Sequence, residues 1–426
     1  MSDAPALLRA LGTRRLAVSI FNTVVGAGIF VLPATVFGLA GAGAPFAYLA
    51  CTVAILLVAL AFASAGSRVA EAGGAYRYVD AGLGPWAGGV TGILQWLSDT
   101  LSNASVATAF AAALAVYWPA VGGGTGRTLL LVAVIGALAA LNLRGVKRST
   151  AFLEAVTVAK VAPLLLLVLL GATLLPGNVE IPPLPEPDTL GRTALVLLFA
   201  FAGIESALAL SGEVRDPART IPRALLIALL GISGLYLLVH YVSVAALGDA
   251  LASASAAPLS AAGAAIAGPW LQQVMLAGTA ISMFGYLTAL STATPRLLYS
   301  MGAAGLLPTV LGRVNPTYRT PSVAIVTQAI VIVAVASTGS FAVLAPMASV
   351  AILTVYLLVC IAAWRLQRLQ PGEGLFTIPA WVPVAGAAVL VWMLANATMR
   401  ELAVEGLVIV AASLLYLARR NPSRSN

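Results

Sequence analysis

Phe21-Asn22-Thr23-Val24-Val25-Gly26-Ala27-Gly28-Ile29-Phe30-Val31-Leu32-Pro33 decides how the chain is read. It lies inside the first long apolar run. Yet it places a Gly-Ala-Gly step near the middle of that run and a proline five residues later. Glycine lowers helix propensity by roughly 1 kcal/mol, and proline removes an amide donor. In hydrocarbon every backbone amide and carbonyl needs a partner, so a weakened helix is tolerated only where protein, water or a ligand supplies one. The stretch predicts a helix broken at Gly26–Gly28 with a solute bound at the break. The alternative is that the glycines only let a neighbouring helix come close.

Around this stretch the composition is that of a polytopic membrane protein. Of the 426 residues, 60% are hydrophobic and 9% charged, against about 25% charged in a soluble protein. The net charge of +8 reads as membrane topology, because of where the basic residues fall, and nucleic acid is not expected as a partner. Cys51 and Cys360, both inside apolar runs, read as buried small hydrophobes rather than a disulfide framework or a metal site. A single histidine, His240, leaves little from which to build a metal or triad site, and no cofactor is expected. The first apolar run is too long for a cleavable signal and lacks a small-residue cleavage site.

Runs of roughly 20 apolar residues predict twelve spans, at about 16–40, 44–65, 86–118, 128–143, 151–175, 192–212, 223–246, 270–300, 322–338, 341–364, 379–397 and 401–418. With the N-terminus cytoplasmic, nineteen of the 23 basic residues fall on inside segments. Arg127, Arg192 and Arg400 lie at the outer side, and Lys160 alone falls within a span. That alternation predicts a multi-pass protein of the cytoplasmic membrane with both termini inside. The longest outer loop, 176–191, is rich in proline and reads as a short rigid connection. The inner loop Arg68–Tyr78 suits a short interfacial helix, and the Ala/Ser-rich stretch 250–266 a small outer one, or each is a plain solvated connection.

The sixth run repeats the signal of the first. Leu198-Phe199-Ala200-Phe201-Ala202-Gly203-Ile204-Glu205-Ser206 interrupts apolar sequence with small residues and adds a carboxylate. Two weakened helices at matching depth, five spans apart, point to an inverted repeat. Where a helix unwinds, the following half presents free amides and partial positive charge, which suits a carboxylate. The preceding half ends in free carbonyls, which suit an ammonium. Two such breaks near the midplane would hold an amino acid zwitterion without any charged side chain.

Four motifs carry a resemblance. Gly26-Ala27-Gly28-Ile29-Phe30 with Pro33, Phe201-Ala202-Gly203-Ile204-Glu205-Ser206, Glu213–Ala224 and Arg296–Pro308 resemble, in order, the first-helix, sixth-helix, loop-to-helix-7 and end-of-helix-8 motifs of the amino acid–polyamine–organocation (APC) transporters. The resemblance implies an all-α polytopic membrane protein of LeuT-type 5+5 inverted repeat, with twelve transmembrane helices of which helices 1 and 6 are broken. It implies one domain over 1–426, with repeats at about 14–175 and 190–366 and extra helices at about 378–419. By the match the substrate carboxylate would meet backbone at Gly26, Ala27 and Gly28, and the ammonium the carbonyls of Val24, Phe199 and Ala202, beside Gly203. Phe199 stands where relatives place an aromatic gate, and Asn103 where an arginine/agmatine antiporter has a substrate-contacting asparagine. That antiporter's guanidinium-stacking aromatic falls on Leu290, a departure that argues against arginine. Ala27 replaces a common serine and removes one hydroxyl contact.

Three ionisable residues inside predicted spans are candidates for gating or proton coupling. Lys160 lies near the midplane, and a buried ammonium costs several kcal/mol unless it is paired or deprotonated. It matches a helix-5 lysine that stands in relatives where sodium-coupled members bind Na+, so it either substitutes for that ion or tethers carbonyls of helix 1. Glu205 is a gating or proton-sensing carboxylate, or a cap on the amides of its own break. Asp99 contacts substrate or only bonds a neighbouring helix, and together with Glu205 it would favour a cationic side chain if the two converge. His240 reads as interhelical, and Tyr286 and Thr288 as cavity-lining or packing residues. The leading function is a secondary active transporter of amino acids or related amines, sodium-independent, working as an H+ symporter or an exchanger. The alternative is a cationic amino acid or polyamine antiporter. An intramembrane enzyme lacks HExxH or GxSxG, a channel lacks a ring of like groups, and no Walker motif is present. The partners implied are a small-molecule substrate, the lipid bilayer and H+. Oligomeric state stays open, a homodimer included.

Overall fold

The computed structural model describes residues 12–69, 74–145, 150–174, 182–205, 214, 217–371 and 375–420. Parts of the 68–78, 176–191 and Glu213–Ala224 stretches, and the sixth apolar run from 206 onward, lie outside the described residues.

The described residues are helical with short connections. In chain order the α-helices are α1 (Thr13–Val24), α2 (Gly28–Ala40), α3 (Ala44–Gly66), α4 (Ala75–Leu83), α5 (Pro85–Ala115), α6 (Gly124–Leu143), α7 (Thr150–Gly171) and α8 (Pro187–Phe201). Then come α9 (Pro217–Leu247), α10 (Ala250–Ser253), α11 (Pro258–Ala267), α12 (Pro269–Ala303), α13 (Ser322–Thr338), α14 (Phe341–Leu369), α15 (Trp381–Ala395) and α16 (Met399–Arg420). Each apolar run read from the sequence falls mainly on helix across its described residues. The first is shared by α1 and α2, and the 250–266 stretch becomes α10 and α11. The 68–78 loop leads into α4, a short helix over Ala75–Leu83. Six helical stretches among the described residues are long and apolar enough to cross a bilayer.

Burial separates the centre from the rim. In α14, 72% of the apolar window is buried, against 17% in each of α6 and α16. α5 and α14 cross at the centre, with α3, α8 and α12 against them. Lipid supplies no hydrophobic drive for helix association, so these contacts rest on close packing of small residues. The buried face of α5 reads Ser102-Asn103-Ala104-Ser105-Val106-Ala107-Thr108-Ala109. The outer helices instead turn Leu129, Leu407 and Leu414 outward, all more than 60% exposed.

Prolines inside helices carry local meaning. Pro33 in α2 and Pro163 in α7 remove amide donors next to the broken region. Pro163 also packs against Gly278 of α12. His240 of α9 is buried between the rings of Tyr48 (5.3 Å) and Phe37 (6.4 Å), an interhelical residue as read. Cys51 and Cys360 are buried free thiols, the first donating to Ala194 O at 3.0 Å.

Candidate functional site

The first break is three residues long. α1 ends at Val24, α2 begins at Gly28, and Val25-Gly26-Ala27 is not helical. The Val25 amide still reaches Phe21 O (2.9 Å), and Phe30 N–H reaches Ala27 O (3.1 Å). The amides of Gly26, Ala27 and Gly28 have no acceptor among the described residues. The second break follows α8. Ala202 is extended, with ψ 156°. Gly203 has φ +110°, a region open to glycine and costly for any residue with a Cβ. Helix resumes at Ile204.

The breaks touch. A Cβ on Gly28 would lie 2.7 Å from Ala200 Cα, and one on Gly203 would lie 3.1 Å from Thr23 O. The helix is therefore interrupted at its glycines, and its neighbour comes close there. Tyr236 of α9 pins the junction from behind. Its hydroxyl donates to Val24 O (3.2 Å) and Ala200 O (3.0 Å), one carbonyl from each interrupted helix.

In front of the breaks is a cavity of about 590 Å³ walled by α5, α7, α12 and α14. Its polar side carries Asn22, Thr23, Ser98, Asp99, Ser102, Lys160, Glu205, Tyr286 and Thr288. Phe110, Phe284, Leu290 and Ile352 form much of the apolar side. Of the residues singled out in the sequence, Gly26, Ala202, Gly203, Lys160, Glu205 and Asp99 line it. Val24, Ala27, Gly28, Phe199 and Asn103 do not. Val24 gives its carbonyl to Tyr236, and Ala27 and Gly28 are buried behind the lining. Asn103 is fully buried on α5, and its amide oxygen and nitrogen have no partner among the described residues.

The charged groups differ in how far they are committed. Lys160, 8% exposed, donates from Nζ to Asn22 O at 2.5 Å. It thus ties α7 to the end of α1, the tether weighed from the sequence. Glu205 Oε2 accepts from Tyr356 Oη (2.6 Å) and from Gly203 N–H (3.2 Å), and so caps its own break. Asp99 has no hydrogen-bond partner among the described residues. It lines the same space as Glu205. Tyr286 sets its ring against Gly26, where a Cβ would lie 3.2 Å from Cδ2.

A second pocket of about 200 Å³ shares only α14 with the walls of the first. It is lined by Leu32 and Thr35 of α2, Arg192 and Val196 of α8, and Phe341 and Ala345 of α14. Phe199 falls between the two pockets along α8, and its ring meets that of Phe341 edge-on at 5.5 Å. Among the described residues no three His, Cys, Asp or Glu side chains gather to hold a metal ion.

Asn22, Tyr236 and Tyr356 were missed in the sequence. Asn22 acts through its backbone carbonyl, which residue identity does not announce. The two tyrosines sit in apolar helices, and no local pattern separates them from packing tyrosines.

The sequence profile of the amino acid permease family matches residues 11–417. A protein called an uncharacterized transporter in Mycobacterium tuberculosis (strain H37Rv) is 32% identical over 402 residues, covering 90% of this chain and 89% of its own. The branched-chain amino acid permease BcaP of Lactococcus lactis subsp. cremoris is 28% identical over 391 residues, covering 85% and 83%. BcaP of Bacillus subtilis is 25% identical over 408 residues, covering 91% and 88%.

Proposed function

The chain belongs to the amino acid permease family of the APC superfamily, and from that premise we propose that it is a secondary active transporter carrying an amino acid across the cytoplasmic membrane by alternating access. One observation carries the reading: two interrupted helices touch at their breaks and face a cavity large enough for an amino acid. The amides of Gly26, Ala27 and Gly28 suit the substrate carboxylate. The carbonyls of Phe199 and Ala202 suit its ammonium, as does Val24 O with the lone pair that Tyr236 leaves free. The protein crosses the membrane twelve times as a 5+5 inverted repeat of LeuT type, with both termini cytoplasmic. α15 and α16 follow the repeats within the same domain. The two relatives named branched-chain amino acid permeases support an amino acid as substrate.

Phe199 is the outer gate, its ring braced edge-on by that of Phe341, which lines the second pocket. Lys160 is the coupling group. Its ammonium holds α7 against the last carbonyls of α1, and loss of its proton would free α1 to move. A proton or a second substrate molecule then resets the cycle, and sodium is not needed.

The test is counterflow. Purified protein in sodium-free proteoliposomes takes up labelled amino acid faster when unlabelled amino acid is inside, and Lys160→Ala lowers the rate at least tenfold. Uptake indifferent to internal substrate would overturn the carrier reading. Unchanged transport by Lys160→Ala would overturn the role of the lysine.

A further inference from the structure

The cavity contains one carboxylate that no other described residue engages. Glu205 is held by Tyr356 and by the Gly203 amide. The ammonium that lines the cavity, Lys160, is spent on Asn22 O. Asp99, on α5, faces the same space without a hydrogen-bond partner among the described residues. Other groups near it are hydroxyls, those of Ser98, Ser102 and Tyr286, and they bring no compensating charge. A carboxylate away from bulk water with no partner is unfavourable. A site with such a group prefers the ligand that completes it and rejects the analogue that cannot.

We propose that Asp99 is a specificity-determining residue that receives a second positive charge on the substrate, so that this carrier favours dibasic amino acids or diamines over neutral amino acids. The inference rests on the transport reading above and concerns the same cavity. The ligand's α-carboxylate and α-ammonium stay on the helix breaks, and its distal ammonium reaches across to Asp99. Its methylene stem packs on Phe110, Phe284, Leu290 and Ile352, as long cationic side chains pack on apolar surface. Leu290 offers no aromatic face for a guanidinium, so a compact ammonium fits better than an arginine side chain. Of the two cavity carboxylates, Asp99 takes the cation because Glu205 already accepts two hydrogen bonds at Oε2, whereas Asp99 accepts none among the described residues.

Thermal stabilisation of the purified full chain tests this, with L-ornithine, L-lysine, putrescine, L-leucine and L-valine as probes. A bound solute raises stability by mass action. The wild type should bind L-ornithine or L-lysine at least tenfold more tightly than L-leucine, and Asp99→Asn should erase that preference while L-leucine binding stays within about threefold. Wild-type binding of L-leucine equal to or tighter than the dibasic probes overturns the inference and needs no variant to fold. So does an Asp99→Asn variant that weakens every probe alike, since Asp99 would then serve the part all substrates share. Failure of all five probes to stabilise the protein, together with absence of counterflow, would instead sink the transport reading itself.

Discussion

At the scale of single residues, glycine acts here through what it lacks. Gly28 opens α2 where Ala200 of α8 presses against it, and a Cβ would lie 2.7 Å from Ala200 Cα and 2.8 Å from its Cβ. The nearest atom is backbone, which cannot swing aside as the end of a flexible side chain can. Gly28→Val should therefore force the two broken helices apart. Overpacking of this kind costs about 1–3 kcal/mol, and the unfolding midpoint in detergent should fall with it. Gly136→Ala in α6 is the control, because nothing lies within 4 Å of where its Cβ would stand; that change should be neutral or slightly stabilising. Equal midpoints for the two variants would show that the contact at Gly28 is soft. Single residues were legible in the sequence where chemistry and setting clash: Lys160, Glu205 and Asp99 are charges in apolar runs, and all three reach the cavity. Asn103, singled out only by resemblance to an antiporter, does not line it, because a matched position does not fix which face of α5 meets the cavity.

At the scale of elements, the last helix, which contributed little to the sequence reading, is tied to the start of α8. Arg192, at the start of α8, makes a two-pronged ion pair with Glu401 of α16, at 2.7 Å and 2.8 Å. Glu401 Oε2 also accepts the Thr398 amide at 2.8 Å, which fixes the carboxylate at the start of its own helix. The pair fastens the N-terminal end of α8 to α16, ten residues before the break at Ala202. Glu401 is 8% exposed and the Arg192 side chain 26%, so removing one partner strands a largely buried charge. Arg192→Met alone should destabilise by about 1–3 kcal/mol, less than for a fully buried pair because the guanidinium is partly solvated. Arg192→Met with Glu401→Gln should recover part of that loss. A thermal melt in which the double variant is the worse of the two would mean the charges are not what α8 and α16 share. Sequence offered no link between positions 192 and 401, since it reports hydropathy along one chain segment and not which segments meet.

At the scale of the whole molecule, what could be read early was what depends on local sequence. The apolar runs became helices because twenty apolar residues in hydrocarbon need their backbone bonds satisfied within the segment. Convergence of α5, α7, α12 and α14 on one cavity could not be read, since no local pattern records which faces meet. One global property follows from the assembled charges. Lys160 places an ammonium against Asn22 O where α7 meets the end of α1. A sodium ion about 4 Å away would be repelled by roughly 4 kcal/mol at an effective dielectric of 20, close to a thousandfold in binding. Uptake into proteoliposomes should therefore be the same within twofold whether sodium or N-methylglucamine is the external cation. An inward proton gradient or preloaded substrate should raise it instead. If Lys160→Ala keeps any transport, that residual activity is where sodium stimulation should first appear, because the repelling charge is gone. A steep sodium requirement in the wild type would show that the ammonium does not stand in for the ion, and the coupling assigned to Lys160 would fall with it.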